Sequence, residues 1–373
     1  MYLALRELNK YRLRFSMIGL IFVLIAWLVF ILSGLGNGLQ TLAASTFQNM
    51  KADYAVFEAG ARVSMSRSLL SADRVQEAAG LPGVKAASPI GSSMATAIRG
   101  EEAAGGTKLD IALIGIEPGS FLEPAVVEGS GLSADRPDGV IVNRTMKDEG
   151  FQLGDTFRLD GSTASLTIVG FVSNQTYNHV ASVFTPMPKW RTIAFAAPGA
   201  DKGISQPVNA IMLQGEQIDA TLLDSRLAGT ETVTRAAAIK GMPGYKEENG
   251  TIMMMLAFLL VISAVMLGVF FYVFTMQKTN QFGIMKAIGA GSGFLGRAVV
   301  SQVFVVSLVS IAVGIALTYV TAAFMPKGMP FLLDTKLVAA YSVILLVIAV
   351  LSSLVSVRKI VHIDPLQALG RAD

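Results

Sequence analysis

The chain has no cysteine. That excludes disulfides, thiolate zinc sites and covalent c-type haem attachment, and it leaves the redox compartment open. Charge is scarce. Asp, Glu, Lys and Arg make up 15% of the residues, where a soluble domain averages about 25%. The net charge of +3 carries no nucleic-acid footprint, so no nucleic-acid partner is expected. There are two histidines, His179 and His362. Each reads as a surface residue, and neither belongs to an HExxH motif or a Ser/His/Asp set. Enzyme chemistry therefore has little support. No GxxxxGK[ST] loop occurs. Gly289-Ala-Gly-Ser-Gly is glycine-rich but lacks the lysine and the preceding strand. The chain cannot hydrolyse ATP by itself, and any work it does draws on a partner.

What is present is apolar sequence: 52% hydrophobic residues and a mean hydropathy of +0.55. Four runs carry no charge, at 15–39, 251–276, 298–325 and 337–357. A bilayer core takes roughly 20 apolar residues, so each can span it. The first run exceeds the core of about 7–15 residues in a secretory signal, so it reads as a retained span. Basic residues set the orientation. Arg6, Lys10, Arg12, Arg14, Lys278, Lys286, Arg297, Arg358 and Lys359 lie on one side. Lys51, Lys246, Lys327 and Lys336 lie on the other. The excess places both termini in the cytoplasm of a multi-pass protein of the cell membrane.

The expected fold is an α-helical membrane protein with four transmembrane helices plus an α+β extracytoplasmic domain inserted between the first and second spans. The segments read as a cytoplasmic amphipathic helix (1–14), first span (15–42), extracytoplasmic domain (43–248) and second span (249–276). A cytoplasmic coupling segment (277–297), third span (298–325), external loop (326–336), fourth span (337–357) and cytoplasmic tail (358–373) follow. Within the insertion, strands are expected at 52–58, 110–116, 139–142, 156–159, 166–172 and 209–214, bounded by Gly, Pro and Asp clusters. Helices are expected at 71–80, capped by Ser71, and at 144–151. One apolar face per element suffices for a modest core.

Three features carry chemistry. The stretch 279–297 is polar, basic and glycine-rich. Gln281 to Lys286 can form a short amphipathic helix with Phe282, Ile284, Met285 and Ile288 as its apolar residues, broken by Gly289, Gly291 and Gly293. It is either a handle for a soluble partner or a plain hairpin. Gly34 and Gly38 form a GxxxG pair, a spacing that lets helices approach closely, and are read as a candidate oligomer contact. Soft and anionic side chains gather near the outer membrane face: Met50, Met242, Tyr245, Glu247, Glu248, Met253 and Met254, with Met255 beside them. Thioether and tyrosinate can ligate haem iron; methionine is equally a filler of apolar surface.

The link Gln281-Phe-Gly-Ile-Met-Lys-Ala-Ile-Gly-Ala and the tail Asp364-Pro-Leu-Gln-Ala-Leu resemble the signatures of the MacB/FtsX family of ABC-transporter permeases. Gly139-Val-Ile-Val-Asn, Phe151-Gln-Leu-Gly-Asp and Leu166-Thr-Ile-Val-Gly-Phe resemble that family's periplasmic core. Gln281 stands where the family often has glutamate. Leu5-Arg-Glu-Leu and the run from Phe30 to Leu39 look most like the family's haem-efflux branch. The resemblance implies a homodimer bound to two copies of a cytoplasmic ABC ATPase, working by mechanotransmission in the lipid bilayer. Gln281, Phe282, Gly283, Ile284, Met285, Lys286 and Ile288 would dock on that ATPase. It implies no permanent cofactor and no metal beyond a transported haem iron. Haem would be the substrate, entering between the first and second spans and meeting the seven soft or anionic residues named above. The alternatives are export of another amphipathic substrate (glycolipid, peptide or lipoprotein) and an FtsX-like mechanical regulator of a cell-wall hydrolase.

Overall fold

The computed structural model describes residues 12–99, 107–326 and 329–361. Most of the expected N-terminal surface helix, the end of the tail with Asp364 to Leu369, and His362 lie outside the described residues. Among the described residues, four helices are long and apolar enough to cross a membrane. The chain divides into two compact units, Leu39–Glu248 and the remainder, Met1–Gly38 with Asn249–Asp373.

Helix α1 (Arg12–Asn49) contains the first span and runs on into the inserted unit. That unit is built on strands β1 (Tyr54–Glu58), β2 (Leu70–Ser71), β3 (Val84–Arg99), β4 (Thr107–Ile116), β5 (Val126–Gly129), β6 (Gly139–Asn143) and β7 (Thr156–Leu159). Strands β8 (Ser165–Val172), β9 (Thr176–Tyr177), β10 (Val180–Pro186), β11 (Pro207–Val208), β12 (Ala210–Gly215) and β13 (Thr230–Thr234) complete it. Its helices are α2 (Asp73–Ala79), α3 (Thr145–Asp148), α4 (Met187–Ala194), α5 (Ala220–Arg226) and α6 (Arg235–Lys240). An 11-stranded sheet runs in the order β13-β1-β12-β3-β4-β10-β6-β8-β5, with β7 and β9 joined at its side. The β4–β10 and β6–β8 pairs are parallel; the other pairs in the path are antiparallel.

Both faces of this sheet are covered, which the single-face expectation did not foresee. Side chains alternate across a strand. On β4, Ile111 and Leu113 enter one core while Ala112, Ile114 and Ile116 enter the other. Strand β12 splits likewise, Ile211 and Leu213 against Ala210 and Met212. The first core is closed by Met187 and Trp190 of α4 and Leu223 of α5. The second is closed by Ala43, Ala44 and Phe47 of α1 and Ala238 of α6.

The long strand β3 has no β-branched run to announce it; its sequence reads Ala-Ala-Ser-Pro-Ile-Gly-Ser-Ser. Gly91 on it pairs with Gly115 on β4. A Cβ at either would fall 2.3 or 2.5 Å from the Trp190 indole. The missing side chains are the slot in which that ring lies. Ser71 ends a strand rather than capping a helix, and α2 begins at Asp73. The helix expected over 144–151 is only α3; Phe151 beyond it turns into the first core.

In the helical unit, α7 (Tyr245–Gln277) contains the second span, α8 (Thr279–Ala287) follows, and α9 (Ser292–Ala323) and α10 (Thr335–Val361) contain the third and fourth. Only part of the 279–297 link is a turn. Gly289, with φ 101°, ends α8, and Gly291 caps α9. Gly293 sits inside α9 rather than breaking a helix.

The GxxxG expectation is corrected. A Cβ at Gly34 would lie 2.5 Å from the Phe331 ring, and one at Gly38 would lie 2.2 Å from the Pro330 carbonyl oxygen. The close approach is filled by the chain's own loop between the third and fourth spans. Gly36, on the same helix, seats Ile252 of α7.

Candidate functional site

In the inserted unit the end of α1 is fastened to the sheet by buried hydroxyls. The Thr176 backbone N–H donates to Ser45 Oγ at 2.8 Å, and Ser45 Oγ lies 2.7 Å from Thr176 Oγ1. Thr176 Oγ1 donates to the Thr41 carbonyl at 3.1 Å. Thr46 Oγ1 meets Ser182 Oγ at 2.8 Å. Arg235 donates through Nη1 to the carbonyls of Gln48 and Met50 at 3.3 and 2.5 Å, a basic group on the last orphan carbonyls of a helix. Tyr177 packs on Phe47, and burial pushes its phenol above the ordinary value, so it stays neutral.

The expected haem-binding residues do not form one cluster. Met50 and Met242 are 5% and 7% exposed and belong to the second core of the inserted unit. Either would have to leave that core to reach iron. Tyr245 packs at the edge of the same core. Glu247 is exposed. Glu248 is half-buried and lies 3.1 Å from His179 Nε2, a partnership that distance in sequence concealed. Met253 and Met254 are each 55% exposed on α7.

A different feature emerges in the helical unit. Between the first and second spans lies a groove of about 430 Å³, lined by Leu28, Ile31, Leu32 and Leu35 on α1 and by Met255, Phe258, Leu259 and Ile262 on α7. Each helix contributes one i, i+3, i+4, i+7 face. No charged side chain lines it, and the thioether of Met255 is its one soft donor. It lies in the halves of α1 and α7 that adjoin the insertion along the chain. The family resemblance implied entry between these two spans, but which faces line the groove could not be read, because both helices are apolar all round.

At the other end of α7, Lys278 separates this helix from α8. It is 4% exposed, with its ammonium 4.5 Å from the Phe274 ring centroid and 5.5 Å from that of Phe15. Desolvated cation–π contacts of this kind are worth about 2 kcal/mol. They fix the joint between the second span and α8. On α8, Phe282 and Gly283 are buried and Met285 packs against the helical core. Gln281 and Ile284 face out, Lys286 is half-buried, and Ile288 just beyond α8 is 81% exposed. Ile284 and Ile288 share a face, and Phe294 at the start of α9 is also exposed. The helix expected to be amphipathic therefore presents apolar residues on both sides, one side packed and one open.

The first and third spans are stitched together. Trp27 Nε1 donates to Thr321 Oγ1 at 3.1 Å, and Ser310 Oγ donates to the Gly19 carbonyl at 3.1 Å. A Cβ at Gly314 would lie 2.9 Å from that of Ala26.

A permease of Staphylococcus haemolyticus whose name, HrtB, associates it with a hemin transport system is 26% identical over 372 residues, covering 99% of both chains. An uncharacterized ABC transporter permease of Mycobacterium bovis is 28% identical over 378 residues, again covering 99% of both. Among solved structures, the extracellular domain of the ABC-type transporter YknZ from Gram-positive bacteria aligns with a TM-score of 0.35 at 15% identity, covering 48% of this chain and 99% of that one. The family model of the FtsX-like permease C-terminal domain matches residues 253–365. That of the MacB-like periplasmic core domain matches residues 15–223, more than half of the chain. The chain thus belongs to the MacB/FtsX family of ABC-type permeases.

Proposed function

We propose that this permease exports haem from the membrane, taking it up in the groove between the first and second spans. The observation that carries the reading is the groove itself. It is apolar, open to the side and bordered by a thioether. Ligand clefts of about 300–1,000 Å³ with apolar walls and few polar groups hold flat, largely apolar molecules. Haem is such a molecule, and methionine sulfur is one of its axial ligands. Met253 and Met254 stand one turn or less from Met255 on the same helix. Tyr245, Glu247 and Glu248 come earlier in the sequence of the same helix. The full-length similarity to a hemin-system permease supports the same substrate.

As an ABC-type permease the chain acts in a membrane with an ATPase partner. In the proposed cycle two permeases and two ATPase copies assemble, with termini and α8 in the cytoplasm. The ATPase bears on the exposed Ile284, Ile288 and Phe294. Its ATP-driven closure reaches α7 through the caged Lys278.

The test is haem titration of the purified permease–ATPase complex, read by the Soret band and by ATP turnover. The wild type is expected to shift the Soret band and to hydrolyse ATP faster with haem. Leu32→Trp, which fills the groove, should weaken binding about tenfold or more, equivalent to at least about 1.4 kcal/mol. A wild-type complex with no Soret shift and no haem-stimulated turnover would overturn the reading.

A further inference from the structure

We infer that residues 329–332 are a strap that makes the first span the fixed wall of the groove, leaving the second span as the wall that moves. Phe331 is the positioning residue of this strap. The inference rests on the groove being the transport site.

Two hydrogen bonds tie the strap to α1. The Leu332 N–H donates to the Gly34 carbonyl at 3.0 Å, and Asn37 Nδ2 donates to the Leu332 carbonyl at 3.0 Å. Between them the Phe331 ring lies over Gly34 and the Pro330 carbonyl over Gly38, both at distances that only glycine permits. Below the strap, α1 is hydrogen-bonded to α9 through Trp27 and through the Gly19 carbonyl. The first span is thus held by directional contacts from Gly19 to Gly38. Its groove-lining residues, Leu28 to Leu35, fall within that held stretch.

The second span meets the first differently. Ile252 sits on Gly36 at one end of the groove, and Phe274 packs edge-on against Phe15 at 4.8 Å toward the other. Both contacts are apolar; at the Phe15 end the Lys278 ammonium also lies 5.5 Å from the Phe15 ring centroid, so that end is the pivot and the Ile252 end is the one free to slide. Much of the rest of α7 is open: Phe258, Val261, Val265 and Val269 are all exposed. Widening the groove by moving the first span breaks four hydrogen bonds. Widening it by moving the second span breaks none of these four; α7 has its own side-chain tie to another span, the bond that Ser352 Oγ of α10 donates to the Ala264 carbonyl at 3.2 Å. Helix α7 is also the one that continues, through Lys278, into α8.

The experiment uses the full permease–ATPase complex and the absence of native cysteine. Spin-label pairs are placed at exposed sites, one from the strap to the first span (Met329→Cys with Leu28→Cys) and one from the strap to the second (Met329→Cys with Val261→Cys). Labelled permease is diluted with unlabelled so that each distance is intramolecular. Distances are compared without nucleotide and with ATP trapped by vanadate. The expected result is an unchanged strap-to-first-span distance and a shifted strap-to-second-span distance. Phe331→Ala should let the first-span distance shift as well, and Phe331→Leu should restore it. A nucleotide-driven shift of the first span in the wild type, or none in the second, would overturn the inference. So would an unmoved first span in Phe331→Ala. No arm contains haem, so these results stand apart from the identity of the substrate.

Discussion

Gly34 and Gly38 differ in what a methyl group would strike, and that difference predicts a reversal of sign. At Gly38 an added Cβ falls 2.2 Å from the Pro330 oxygen and 2.4 Å from its carbon, and both are backbone. Relief needs the strap to retreat by about 1 Å, because ordinary contact begins near 3.4 Å. That breaks the two 3.0 Å hydrogen bonds to Leu332, each worth about 0.5–1.5 kcal/mol. Alanine returns about 0.8–1.0 kcal/mol of helix propensity over glycine. Gly38→Ala should therefore destabilise by up to about 2 kcal/mol. At Gly34 the three atoms nearest the Cβ all belong to the Phe331 ring, the first at 2.5 Å. The ring can swing away while the strap backbone stays, so Gly34→Ala should be mildly destabilising. Once Phe331→Ala has removed the ring, Gly34→Ala keeps its propensity gain and should stabilise by up to about 1 kcal/mol. Gly38→Ala should gain nothing from Phe331→Ala. Thermal unfolding of the full chain in detergent, across single and double variants, reads these signs. If Phe331→Ala leaves the sign of Gly34→Ala unchanged, or rescues Gly38→Ala, the strap is not seated as described.

Ser45→Ala removes the buried acceptor of the Thr176 N–H and should destabilise the inserted unit by about 1–3 kcal/mol; hydrogen exchange over residues 173–179 should accelerate at least tenfold, and unchanged exchange would refute the hydroxyl relay. Gly115→Ala puts a methyl 2.5 Å from Trp190, whose ring is pinned by Ser93 and Phe195, so a loss of about 1–3 kcal/mol is expected. The chain has two tryptophans, so fluorescence in a Trp27→Phe background follows Trp190 alone, and an unshifted unfolding midpoint would count against the slot.

Several elements could be read in the residues before any fold was known. The strands β6, β7 and β8 were visible as β-branched stretches separated by Gly, Pro and Asp clusters. Strand β3 was not, because its residues are mostly small, and its Gly91 pairs with Gly115 of β4 to leave room for a tryptophan far along the chain. The head of α8 was visible from the run 281–288, but not which of its apolar residues face the protein. Met50 and Met242 looked like free sulfur donors at a membrane edge. Their burial depends on strands contributed from across the insertion.

The sequence by itself determined that four segments enter a bilayer and that a folded unit is inserted after the first. Transfer of an apolar helix into lipid is a sum over its own residues, so length and absence of charge suffice. Tertiary structure alone decided which sides of those helices touch one another, where the groove opens, and that the glycines of the first span receive a loop of the same chain. In a helix apolar on every side, polarity does not distinguish the protein-facing surface from the lipid-facing one. Only the shapes of the packed partners do.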